Sequence, residues 1–135
     1  MVTRRGFGAC AVCAAAGLVA SGVEAQTQPS QAAGVTRHTL LTTDLDEKHT
    51  TILMTVEIAP GASIARHTHP GIETAYIVEG GAELSVQGRP DKLYKAGEGF
   101  QVPAGTPHSA RNGDRPTKVA ITYVVEKGKP VASPA

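Results

Sequence analysis

Between residues 52 and 58 the chain reads ILMTVEI, so that Ile52, Met54, Val56 and Ile58 alternate with Leu53, Thr55 and Glu57. A period of two sends alternate side chains to opposite faces of a strand, and this run therefore predicts a half-buried β-strand. Pro60-Gly61 follows as a turn. TAYIV at 74–78 predicts a second strand closed by Gly80-Gly81, and AELSV at 82–86 a third that ends before Gly88-Arg89-Pro90. Short apolar runs recur at 92–94, 100–102, 109–111 and 119–125, separated by AGEG, PAGTP and NGDRPT. Those spacers are rich in residues that favour turns. No segment shows a convincing helical period and no internal repeat is visible. Many short strands at this spacing predict an all-β domain, an antiparallel sandwich or barrel.

The two ends of the chain read differently. MVTRRGFGACAVCAAAGLVASGVEA at 1–25 has a basic start, a weakly apolar stretch and a small-residue ending. This is the layout of a cleavable export signal, and Thr3-Arg4-Arg5-Gly6-Phe7 resembles the twin-arginine motif. The expected location is therefore periplasmic or secreted. Both cysteines, Cys10 and Cys13, fall inside the segment, so the mature domain is expected to have neither disulfides nor a thiolate. Residues 26–34 read as a polar leader, 35–128 as the barrel and 129–135 as a surface tail. The formal charge of +1 falls to zero once Arg4, Arg5 and Glu24 are removed. No basic patch suggests nucleic acid, and no membrane anchor is expected in the mature form.

The chemistry is concentrated in two stretches. In RHTHPGIE at 66–73, His67 and His69 share one face of a strand, and Pro70-Gly71 can bend Glu73 back toward them. Two imidazoles and a carboxylate suit several transition metals, although an H-x-H pair also occurs on exposed edge strands. In PAGTPH at 103–108, two prolines and a glycine fix the turn that delivers His108 to the next strand. A histidine held this rigidly points to a placed role.

Together the stretches read Gly61-x5-His67-x-His69-x3-Glu73-x6-Gly80 and Gly97-x5-Pro103-x-Gly105-x2-His108-x3-Asn112. These patterns resemble the two motifs of the cupin superfamily, with a short intermotif segment from Gly81 to Ala96. The resemblance spans roughly residues 50–125. It implies a single-domain double-stranded β-helix, or jelly-roll barrel, holding one divalent transition metal through His67, His69, Glu73 and His108. Mn or Fe is favoured, with Ni, Cu or Zn as alternatives. It also implies a small-molecule substrate or ligand and a homodimer, for which Val56 and Tyr76 are expected on outward faces.

Three neutral imidazoles and one carboxylate leave open positions on a divalent ion for substrate, water or dioxygen. Glu73 is the expected catalytic group, able to leave the metal and act as a general base. The favoured function is a dioxygenase-like oxidoreductase. The alternatives are a metal-dependent lyase or isomerase, or a non-catalytic binding protein. A second proton-transfer group in the pocket, a Tyr or Lys, would favour the lyase; Tyr76 has the wrong parity for that role. Ala75 and Ile77 share the parity of Glu73 and should form apolar walls, with Met54, Phe100 and Val102 as further candidates. His38, His49, Arg66 and Arg111 are expected to face solvent, and Asn112 to bond the backbone of its turn.

Overall fold

A computed structural model of the protein describes residues 32–135. The expected export signal, both cysteines and most of the leader lie outside the described residues. Ten strands run in chain order: β1 Val35–Asp44, β2 His49–Ile58, β3 Ser63–Thr68, β4 Gly71–Glu79, β5 Gly81–Val86, β6 Lys92–Lys95, β7 Gly99–Val102, β8 His108–Asn112, β9 Thr117–Glu126 and β10 Ser133–Pro134. They form two antiparallel five-stranded sheets, ordered β1-β2-β9-β4-β7 and β10-β3-β8-β5-β6. This is the double-stranded β-helix expected from the motifs. Consecutive strands repeatedly change sheets, so β3 and β4, neighbours in sequence, face each other across the barrel.

The period-2 pattern decides which side chains fill it. On β2, Ile52, Met54, Val56 and Ile58 are all buried; on β9, Val119, Ile121, Tyr123 and Val125 are. Val56 is only 1% exposed, which corrects its expected outward orientation. It shares the parity of Ile52, Met54 and Ile58, and a strand cannot turn one member of such a set outward without a bulge. Tyr76 does face outward, with Ile72 and Val78 on the same face of β4.

Both barrel ends are fixed by polar contacts. Asn112 does more than serve its own turn: its Nδ2 donates to the carbonyls of Ile58, Ala59 and Arg115 at 2.8–2.9 Å, while Oδ1 accepts from Gly113 N and the Thr117 hydroxyl. One buried amide thus joins the end of β8 to the end of β2 and the start of β9. The tail lies at the surface as expected, and there it adds β10 to the edge of β3, pairing Ser133 with Thr68 and Pro134 with His67. Of the leader, Ala32 accepts a hydrogen bond from Val35 N and packs against the core.

Candidate metal centre

The four expected ligands come from both sheets. His67 lies near the end of β3 and pairs in register with His108, the first residue of β8. His69 follows β3 in the connection to β4, and Glu73 reaches in from β4 on the opposite sheet. Gly71 permits this path: a Cβ there would lie 1.9 Å from the Val124 carbonyl oxygen on β9, so no side chain fits where β4 begins. The second turn is tied to the first motif directly. Gly105, at φ 67°, donates its N–H to the His69 carbonyl at 2.9 Å.

One ligand atom from each of His67, His69, Glu73 and His108 lies within 4.8 Å of the others, and all but the half-buried His67 are buried. Each imidazole is oriented by a backbone carbonyl. His67 Nδ1 donates to Ala65 O at 2.7 Å and His108 Nδ1 to Thr106 O at 2.8 Å; His69 Nδ1 donates to Val131 O from the C-terminal tail. Such contacts select the Nδ1–H tautomer and turn an unprotonated Nε2 inward. His67 Nε2 then faces His69 Nε2 at 3.2 Å, and Glu73 Oε2 lies 2.7 Å from His69 Nε2 and 3.1 Å from His108 Nε2.

Lone pairs converging in this way repel unless a cation lies among them. Metal–ligand bonds of about 2.1 Å place neighbouring ligand atoms roughly 3 Å apart, which these separations match. The donor set therefore fits a divalent metal, and its mixed nitrogen and oxygen character does not select one ion.

The titration of the cluster follows the same logic. In the metal-free cluster burial pushes the Glu73 carboxyl up, but protons on the facing His108 and His69 rings, in the place a cation would take, make their Nε2 atoms donors to it; these contacts outweigh burial and hold the group well below the usual carboxylate range. Burial depresses His67 most strongly, to about 4, despite its bond to Ala65. At neutral pH His67 is thus uncharged and ready to ligate.

Two residues near the cluster were not singled out from the sequence. Tyr123 on β9 pairs with Glu73, and its ring centroid lies 4.7 Å from that of His69. It is 5% exposed. Burial first, and then the charge of Glu73, push its phenol far above the ordinary value, so it keeps its proton. Its inward parity with Val119, Ile121 and Val125 was legible, but assigning it to the site required the pairing of β9 with β4. Arg37 on β1 lines a cavity of ≈ 50 Å³ inside the barrel, together with His67, Glu73, His108 and apolar side chains.

The remaining expectations divide cleanly. Ile77 and Phe100 line that cavity, whereas Ala75, Met54 and Val102 are packed into the core. His38 and Arg66 are exposed, His49 bonds Asp46 far from the cluster, and Arg111 pairs with Glu83 on the surface.

The fold and this ligand set define a cupin: residues 54–126 match the family described as Cupin_2, the cupin domain, and the chain belongs to it. The dimethylsulfoniopropionate lyase DddQ of Ruegeria pomeroyi is 38% identical to this chain over 57 residues. The match covers 42% of this chain and 28% of that lyase, so the chain corresponds to only a part of it. The crystal structure of DddQ from the same organism superposes with a TM-score of 0.65 at 21% identity, over 75% of this chain and 51% of that one. KdgF from a Halomonas species gives a TM-score of 0.59 at 22% identity, covering 72% and 84%. At these identities the structural likenesses speak for the fold.

Proposed function

We propose that the domain is a metal-dependent lyase that removes a leaving group from a small molecule without net oxidation. The observation that carries this reading is Tyr123, the second proton-transfer group beside the His/Glu cluster. Glu73 is held as a carboxylate and Tyr123 as a phenol, so the pair offers one proton acceptor and one donor beside the cluster. Sequence similarity to a dimethylsulfoniopropionate lyase supports the same class.

A bound divalent ion would supply Lewis-acid polarisation of a substrate oxygen. The protein's own groups account for the proton. Glu73 takes it from the carbon beside that polarised group, the freed electron pair forms a carbon–carbon double bond, and the bond to the leaving group breaks with its pair. Tyr123 donates a hydrogen bond, or its proton, to the departing atom. The apolar cavity wall excludes water that would compete for the same positions. An oxidoreductase draws support from the same ligand set and apolar walls, but it gives Tyr123 no task.

The test begins with the metal content of the protein recovered from cells. The metal-loaded protein is then incubated, with oxygen removed, with β-substituted propionates such as dimethylsulfoniopropionate. Formation of an alkene product should be visible by proton NMR. Tyr123→Phe should keep its metal and lose about 10²- to 10⁴-fold in rate. Turnover that requires dioxygen would refute the lyase and restore the oxidoreductase.

A further inference from the structure

We propose that Arg37 is the anion anchor of this cavity and that the substrate is a small aliphatic carboxylate whose carboxyl group it holds. The proposal rests on the reading that the reaction takes place at the His/Glu cluster, and it names the substrate class. Arg37 shares the inward parity of the buried Val35 on β1 and is itself half-buried. Its side chain lines the same cavity as His67, Glu73 and His108. Among the described residues it forms no ion pair, although five Lys or Arg side chains pair with carboxylates elsewhere in this part of the chain.

The surrounding wall consists largely of aliphatic side chains, among them Val56, Ile64, Ile77 and Val119. A half-buried guanidinium facing such a wall keeps only part of its hydration, and an anionic ligand in the cavity would replace what is lost. Position along the barrel agrees. Arg37 pairs with Val56, Val56 with Val119, and Val119 with Ile77, four residues beyond Glu73 on β4. β2 and β9 lie between Arg37 on β1 and Glu73 on β4, and the cavity that both side chains line is what connects them.

The chemistry of the anchor and of the wall narrows the class: a cation among aliphatic side chains suits a small aliphatic anion. The fork of a guanidinium also matches a carboxylate with two parallel hydrogen bonds.

Calorimetric titration of the metal-loaded protein with propionate, and with its neutral isostere propionamide, tests the assignment without any turnover. The native protein should bind propionate and discriminate against the amide. Arg37→Met, which keeps length and apolar contact, should weaken propionate about 10- to 100-fold and leave the amide unchanged. Arg37→Lys, which keeps the charge but not the fork, should fall between the two. Circular dichroism and metal content check that each variant is folded and loaded. Unchanged propionate affinity in folded, metal-loaded Arg37→Met would overturn the proposal and make Arg37 a side chain that merely extends to the barrel mouth. Arg37-dependent binding in a protein that never eliminates would remove the lyase reading alone and still support the anchor.

Discussion

Shortening the chain to end at Lys129 should loosen the metal site while sparing the fold. The truncation removes the Val131 carbonyl that accepts from His69 Nδ1, the β10 pairing with β3, and the hydrogen bond from Ala135 N to Arg66 O. The main core cluster is built from residues 35–125, with Val131 only packed against its edge. Losing that contact should cost about 0.5–1.5 kcal/mol of stability, the scale of a partly buried valine. The effect at the metal should be larger. Removing the group that orients a ligating imidazole typically lowers metal affinity 10- to 100-fold, or roughly 1.4–2.7 kcal/mol. With its Nδ1–H released, His69 can rotate or take the other tautomer, and its Nε2 no longer points at the cluster by default. Competition against a chelator of known affinity measures the change, and thermal unfolding of the metal-free forms measures the stability cost separately. Val131→Ala, which keeps the carbonyl, serves as the control and should bind metal nearly as well as the full chain. An unchanged metal affinity in the truncated protein, or an equal loss in Val131→Ala, would refute the role given to that carbonyl.

Replacing His67, His69 or His108 with alanine should abolish stoichiometric metal uptake, while His38→Ala and His49→Ala should keep it; elemental analysis after dialysis decides. Asn112→Ala removes bonds to three carbonyls, one N–H and one hydroxyl at a buried position, and should cost about 2–4 kcal/mol in urea unfolding of the metal-free protein. A loss under about 0.5 kcal/mol would mean that water replaces the amide at little cost. In the metal-free protein, the His67 ring protons should titrate near 4, since burial depresses that group from its ordinary 6.5. Because the folded value lies below the unfolded one, the unfolded chain takes up this proton first. The contribution of His67 to stability is therefore complete above about 6.5 and is lost as the pH falls toward 4. An NMR midpoint near 6.5 would show that the ring is solvated and the cluster open.

Most of the strands, and the four residues that the fold gathers into one cluster, were legible in the sequence. Alternation along 52–58, 74–78 and 119–125 is enough to assign faces, because a strand has only two, and turn residues mark where each run stops. His67, His69, Glu73 and His108 were legible because local chain geometry fixes their delivery: an H-x-H on one face, the Pro70-Gly71 bend, and a turn made rigid by Pro103, Gly105 and Pro107. The same alternation already placed Val56 with Ile52, Met54 and Ile58, so its expected outward face conflicted with the pattern as well as with the fold.

The tertiary structure decided what stands beside those ligands. Tyr123 and Arg37 lie 50 and 36 residues in sequence from Glu73, and only the strand order β1-β2-β9-β4 brings Tyr123 beside Glu73 and His69 and Arg37 to the cavity that Glu73 lines. Val131 carries no side-chain chemistry, so nothing in its identity marks its carbonyl as the partner of His69. Register across sheets and the path of a chain end are set by long-range pairing and packing, whose energies are spread over the whole barrel. Short-range pattern therefore revealed the four residues of the cluster, while the groups that orient and surround them became visible only once the sheets were closed.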